Sequence, residues 1–407
     1  MPIFRAAWVL PIAQPPVRGG WVQVESGRIL AVGDGPVSGD VRDLGPVALM
    51  PSLVNAHTHL ELSVLKGQVP PAPSLVTWVR ALLAARQAMS RPADGSPPPD
   101  PRAVERAIDE ARTSGTGLVG DVSNTLATVE CLVRLNMPAR VFHEVLGFSA
   151  SETEAAALVR EARARVDRLG SPAKAVRVSL AAHAPYSVSA ALLRALRADR
   201  EGRHHDVSSV HLAESPEEGA FLMDGSGPWR TLLADLGAWP ADWSPPGLTP
   251  VRYLESLGVL DARLLAAHAV CCTADDLARL AAHGVTVVSC PRSNRHVGAG
   301  APPLSAMYRA GVRVAFGTDS LASAPDLNLF TELAEARRLA PDVSAHALLE
   351  SATRQGARAL GFGEEFGSLV PGWQASLIAV RLAEPASDPG EYLVSGIPPA
   401  LVSWPSA

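Results

Sequence analysis

Pro51-Ser52-Leu53-Val54-Asn55-Ala56-His57-Thr58-His59-Leu60-Glu61 is the stretch on which the reading of this chain turns. It opens as an apolar strand and closes on two histidines spaced i, i+2. Side chains at that spacing on a strand share a face, so His57 and His59 aim at one spot near the strand's end. Neutral imidazoles are good ligands for zinc and similar metals. An H-x-H pair alone reads equally well as two partly buried histidines satisfied by backbone carbonyls. The rest of the chain separates the two readings: His211, His268 and Asp319 each end an apolar, strand-like run. Core packing does not explain that repetition.

Strand patterns fall at 52–57, 116–121, 139–145, 175–182, 207–212, 263–268, 284–289 and 312–317. Helical patterns lie between them, as over Leu126–Leu135, Ser151–Leu169, Ala190–Asp199, Thr273–Ala282 and Leu327–Leu339. Eight strands, each followed by a helix, is the period of a (β/α)8 TIM barrel, an α/β fold whose catalytic groups sit at the C-terminal ends of the strands. The barrel is expected over 51–361. Outside it the texture changes. Trp21–Glu25 alternates, Ser26-Gly27 turns, and Arg28–Gly33 continues as a hairpin partner, while Gly367–Gly372 leads into a strand over Ala375–Val380. Neither end is long enough to bury a core alone, so 1–50 and 362–407 are expected to form one composite β-sandwich. Arg91–Arg102 is Pro-rich and reads as an extended surface loop. Asp224–Thr249 is too long for an ordinary connection and carries Trp229, Trp239 and Trp243, which suits a lid closing over a flat ring.

Composition bounds the function classes. The 407 residues carry a net charge of −5, with 47% hydrophobic and 19% charged residues; that suits a globular enzyme and offers no basic surface to a nucleic acid. The four cysteines form no C-x-x-C pair, which fits a reducing, cytoplasmic setting. Met1 to Pro11 lacks the basic segment of a signal peptide, and no apolar run reaches membrane-spanning length. A small-molecule substrate is the expected partner, with no membrane or nucleic acid, and homo-oligomerisation stays open.

The candidate chemistry follows from the strand ends. His211 is a candidate third metal ligand. Glu214, just beyond that strand, is placed to take a proton from an attacking water and pass it to a leaving amine; the plainer alternative is a solvated carboxylate at a helix start. His268 can bind metal, orient water or substrate, or be a buried structural histidine. Asp319 can ligate metal and accept a proton, or merely cap the next helix. His183, Ser293, Asn294 and Glu144 are placed for substrate, with Trp229 in the lid. Asp121 reads as loop support, and His143, His204, His205, His283, His296 and His346 read as surface or packing residues.

Asn55-Ala56-His57-Thr58-His59, His211-Leu212-Ala213-Glu214, His268, Gly317-Thr318-Asp319 and the closing Gly367–Val380 stretch, taken as an ordered set, resemble the amidohydrolase superfamily over nearly the whole chain. The H-x-x-E resembles its aminohydrolase branch of deaminases and chlorohydrolases. His183–Ser187, Asp224–Pro228 and Cys290–Asn294 are similar to the aminodeoxyfutalosine deaminases. The resemblance implies a distorted (β/α)8 barrel with a β-sandwich built from both termini. It further implies a divalent metal, zinc first and iron as the alternative, on His57, His59, His211 and Asp319. Glu214 would shuttle the proton, His268 would orient water or substrate, and His183 would contact substrate. Two departures from the pattern stand out. Trp373 and Ser376 stand where Lys and Asp are usual, and Ala324 stands where relatives often have Asn. One metal is expected, because Lys174 lies nine residues before His183, toward the opposite mouth of the barrel. The expected reaction is deamination of a small ring compound; its rivals are hydrolysis of an amide or carbon–halogen bond, and a barrel kept only for binding.

Overall fold

The computed structural model describes residues 1–90, 100, 102–170, 174–240, 243–383 and 388–405. Most of the Pro-rich loop expected over Arg91–Arg102 lies outside the described residues. Eight strands organise the central part: β1 (Leu53–Thr58), β2 (Thr116–Ser123), β3 (Ala139–Val145), β4 (Val176–Ala182), β5 (Ser208–Leu212), β6 (Leu264–His268), β7 (Thr286–Ser289) and β8 (Arg313–Phe316). All agree with the sequence pattern to within a residue or two. They form two four-stranded sheets, ordered β4-β3-β2-β1 and β5-β6-β7-β8, with every pair parallel.

The strands are nearly continuous apolar runs because both faces are covered, as parallel sheets require. Their alternate residues divide among three buried clusters, one of which holds Val119, Ala139, Val141 and Val176. Val54, Ala56, Leu118, Val122, Phe142, Ala181, Leu265, Val288 and Ala315 pack together with Leu360, Phe362 and Phe366. Leu53, Val145, Leu180, Val210, Leu212, Ala266, Val287 and Val314 instead pack with helical residues such as Leu192, Leu277, Leu333 and Leu348. Helices follow the strands at Thr128–Arg134, Glu152–Asp167, Ala190–Glu201, Ala274–Ala282 and Leu329–Leu339, among others. Ser151 and Thr273 start two of them with full capping boxes, each satisfying helix-end N–H groups that would otherwise lack partners.

Hydrogen bonds join the two sheets on both sides. Between β4 and β5, the Ser208 hydroxyl donates to the Leu180 carbonyl (2.9 Å), and the His211 N–H donates to the His183 carbonyl (2.8 Å). Between β8 and β1, the Asn55 amide donates to the Thr318 hydroxyl (2.8 Å) and accepts from the Thr318 N–H (3.0 Å). The Asp319 N–H donates to the His57 carbonyl (3.0 Å). Gly317 permits that approach: a Cβ there would fall 2.7–2.9 Å from His57 main-chain and side-chain atoms.

The terminal segments form two further sheets. One orders Arg28–Gly33, Trp21–Glu25, Pro2–Arg5 and Asp40–Asp43; the other orders Val402–Ser403, Leu377–Arg381, Val47–Pro51, Trp8–Val9 and Val17–Arg18. The expected hairpin is present, turning through Ser26 (φ 49°) and Gly27 (φ 74°), the mirror-image geometry that suits a two-residue turn. Phe4, Val22, Ile29, Leu49, Leu369 and Leu377 share one buried cluster drawn from both sheets. Phe362 and Phe366 join the inner strand cluster, and Leu393, Val394 and Ile397 pack with the helices. Among the described residues no helix is long and apolar enough to cross a membrane.

Asn55 is fully buried and supplies two of the three hydrogen bonds described across the β8–β1 junction. Asn55→Ala leaves the buried Thr318 N–H without its acceptor, at a cost of about 1–3 kcal/mol, while the Thr318 hydroxyl keeps the Asp319 carbonyl (3.2 Å). Thermal unfolding should therefore show a clearly lowered Tm; an unchanged Tm would mean that the Asn55 bonds do not hold the junction.

Candidate metal centre and active site

The residues marked out at the strand ends meet in space. β1 carries a bulge between Asn55 and Thr58, where its register against β2 shifts. The extra residue re-aims the side chains that follow, so His57 at the end of β1 and His59 just past it face each other with ring centroids 5.0 Å apart. His211 on β5 and His268 at the end of β6 lie 5.0 and 5.4 Å from His57. Asp319, past β8, brings Oδ1 to 3.7 Å from His59 Nε2 and 3.9 Å from His57 Nε2. The main chain is bent into place at these ends: Ala213, His268, Ala269 and Asp319 all have positive φ. Non-glycine residues adopt that region at a cost, and such strain gathers where a side chain must be held in one direction.

The donor chemistry fits a metal ion. His57 Nε2 is buried without a hydrogen-bond partner. His59 Nε2 and His211 Nε2 approach to 3.2 Å, close to the separation of about 3.4 Å that two ~2.1 Å bonds to one tetrahedral zinc would impose. Two sets of such donor atoms, His57–His59–His211 and His57–His268–Asp319, each lie within 4.8 Å of one another. The opposite nitrogens are already committed: His211 Nδ1 to the His183 carbonyl (2.9 Å) and His268 Nδ1 to Asn294 Oδ1 (2.8 Å). Such partners fix ring orientation and tautomer. Burial is the first cause that lowers the pKa of His57, His59, His211 and His268, so the rings are neutral and offer lone pairs. Burial alone would raise the Asp319 carboxyl, but His59, His268 and His57 outweigh it, and the carboxyl stays well below its usual range.

Glu214 stands beside this group, its Oε1 3.6 Å from His268 Nε2. Burial, reinforced by the Asp319 charge, pushes its acid up to about 8. Glu144, on β3, lies 3.5 Å from His211 Nδ1 and accepts from Asn124 (2.9 Å). His183 hydrogen-bonds Ser187. These groups line the inner end of a cavity of about 480 Å³. Its outer walls are apolar, built by Leu75, Trp78 and Leu82 on one helix and by Trp229, Leu232 and Leu233 on another.

Several expectations change at this point. Ser293 and Asn294 do not face the cavity: both are wholly buried, Ser293 donating to Asp319 Oδ2 (2.7 Å) and Asn294 holding His268. Their short helix brings them behind those two side chains. Trp229 does line the cavity, stacked on Tyr186 at 3.8 Å. Trp239 and Trp243 instead pack with Phe148 and Phe221, where four aromatic surfaces leave water together. Sequence reasoning passed over Glu61, which accepts from Ser123, Asn124 and Thr125, and the apolar helix Leu75–Ser90. Glu61 closes the opening motif itself, but nothing in its spacing discloses partners some sixty residues on. Asp121 supports the loop as expected, accepting from the Leu60 N–H and the Thr128 hydroxyl.

Fold and site together define an enzyme class, and residues 48–403 match the amidohydrolase family. The chain belongs to that family. Among curated proteins it is 34% identical to the aminodeoxyfutalosine deaminase of Deinococcus radiodurans over 338 residues, covering 80% of this chain and 76% of that one. It is 31% identical to a 5-methylthioadenosine/S-adenosylhomocysteine deaminase of Halobacterium salinarum over 379 residues, covering 90% and 81%. Among solved structures it resembles a zinc-bound adenosine deaminase from Xanthomonas campestris, with a TM-score of 0.81, 27% identity and coverage of 98% and 90%. The Helicobacter pylori aminofutalosine deaminase complexed with methylthio-coformycin shares the fold, with a TM-score of 0.82, 24% identity and coverage of 97% and 95%.

Metal uptake should move protons. Without an ion Glu214 is protonated at pH 7, because its value near 8 lies above that pH. A nearby cation favours the carboxylate, whereas the neutral imidazoles have no proton to release. Zinc titration of the metal-free protein at pH 7, followed calorimetrically in buffers of different ionisation enthalpy, should show net proton release that shrinks in Glu214→Gln. Equal release by both proteins would place the titrating group elsewhere.

Proposed function

We propose that this protein is a metal-dependent hydrolase that deaminates an aminopurine nucleoside or a related small ring compound. The carrying observation is the meeting of His57, His59, His211 and Asp319 beside the buried acid Glu214, at the inner end of one cavity. The hydrogen-bonded junctions on both sides of the sheets support closure of residues 51–361 into a single distorted (β/α)8 barrel. The cluster shared by the terminal sheets supports a composite β-sandwich from 1–50 and 362–407.

In this reading His57, His59, His211 and Asp319 hold one divalent ion, zinc first and iron as the alternative. When bound, the ion acts as a Lewis acid and lowers the pKa of water toward about 7. Glu214 takes a proton from the water that attacks the amino-bearing ring carbon. It returns that proton to the departing nitrogen, and water plus amine become a ring carbonyl plus ammonia. His268 is positioned through Nε2 to orient the water or the developing oxygen, because Asn294 holds its other nitrogen. Glu144 and His183 face the polar part of a small-molecule substrate. Trp229, on its Tyr186 neighbour, walls the pocket beside the ring. The named activities of the relatives support the choice of leaving group, which the ligands alone do not encode.

A panel of adenosine, methylthioadenosine, S-adenosylhomocysteine, cytosine and guanine, assayed for ammonia release, tests the reading. At least one nucleoside should be turned over. Hydrolysis of an amide or a halogenated triazine with no ammonia from the panel would overturn it. On the active substrate Glu214→Gln should keep its metal and lose about 10²–10⁴-fold in kcat. His211→Ala should lose both metal and activity. Loss of metal from Glu214→Gln would make that residue a ligand and remove the shuttle.

A further inference from the structure

Glu214 sits at a sharp bend. Ala213, immediately before it, has φ +49°, and Ser215, after it, is the N-cap of the helix Pro216–Asp224 but offers that helix no side-chain cap. A side chain at the hinge of such a turn needs external restraint. The restraint comes from Glu218, in the first turn of the helix. Its two carboxylate oxygens reach back past the N-cap, Oε1 accepting from the Ala213 N–H (3.0 Å) and Oε2 from the Glu214 N–H (2.9 Å). The other side of the turn is tied as well, because the Cys271 N–H donates to the Ala213 carbonyl (2.8 Å).

Glu218 is wholly buried, a placement that is costly for a carboxylate unless its oxygens are satisfied. An apolar residue would fill the same space without that cost, and a carboxylate serving only the helix dipole would remain at the surface. What the carboxylate adds is a two-point clamp on the peptide that carries Glu214.

We propose that Glu218 is a positioning residue, which fixes the left-handed turn at Ala213 and thereby the aim of Glu214 at the reacting centre. This deepens the reading of Glu214 as proton carrier and rests on it. Among the described residues the hydrogen bonds of Glu218 go to the Ala213 and Glu214 N–H groups, so its hold on the site passes through that turn.

A double-mutant cycle with Glu214→Gln separates this role from a purely structural one. Glu218→Gln preserves volume but turns an amide N–H₂ toward one of the two main-chain donors, opening the clamp. With methylthioadenosine, or whichever panel member reacts fastest, Glu218→Gln should lower kcat about 10- to 100-fold, the scale of a small misplacement of a catalytic group. KM and metal content should stay near wild type. In the Glu214→Gln background the same change should be nearly silent. Hydrogen exchange gives a readout independent of turnover: amides of the peptide spanning 212–216 should exchange faster in Glu218→Gln, while the β1 peptide bearing His57 should not. If Glu218→Gln does not fold, Glu218→Asp, which keeps the charge but is too short to reach both donors, takes its place in the same cycle. Equal losses of kcat in both backgrounds, or unchanged exchange at 212–216, would overturn the proposal. Near-normal kcat in Glu214→Gln alone would instead overturn the proton-carrier reading, so the two failures are distinguishable.

Discussion

Lone pairs from several buried imidazoles and a carboxylate converge on one point only if the rings are neutral and their outward nitrogens are already bonded. Everything else at this site follows from that constraint. His211 gives its outer N–H to the His183 carbonyl, His268 to Asn294, and Asp319 takes the Ser293 hydroxyl on its second oxygen. The supporting groups come from other strands and from the short helix after β7, so the site exists only when both sheets are assembled. Arg292 anchors that helix through Glu332 (2.6 Å) and Asp326 (2.9 Å), one layer behind the residues that hold Asp319 and His268.

The cavity divides the remaining work. Its inner end is polar and shaped by hydrogen bonds, which suits discrimination of ring substituents, since a mismatched polar group leaves a buried partner unpaired. Its outer end is apolar, where fit depends on shape and discriminates more weakly. The helix Leu75–Ser90 and the helix Pro228–Asp235, packed together in one apolar cluster, supply much of that apolar lining. In the proposed reading the reaction rests on the strand ends, and these helices add the weaker discrimination by shape.

The strand ends were legible because the signal is local. Leu264–Ala267 and Val312–Phe316 are apolar runs closed by a ligand-type residue, and burial on both faces writes such runs directly into sequence. His57 and His59 were legible as a pair, although the bulge that aims them was not: its cause lies in the pairing with β2. Ser293 and Asn294 were found as residue types but assigned to substrate, because their burial behind Asp319 and His268 depends on how β7 and β8 pack. Trp239 and Trp243 read as lid residues because Phe148, distant in the chain, and Phe221, in the helix Pro216–Asp224, disclose no packing role by their spacing. Glu218 stood four residues from Glu214, within view, but the backward reach of its carboxylate depends on the positive φ at Ala213, a conformation that alanine rarely signals.

The most direct test of the account is the position of the metal itself. Crystals grown with zinc, with anomalous scattering recorded at the zinc edge, should show one strong peak per chain. It should lie about 2.0–2.2 Å from the imidazole nitrogens of His57, His59 and His211 and from an Asp319 oxygen. A principal peak at Glu144 and His183 instead, with the His57–His59–His211 cluster bare, would contradict the central claim.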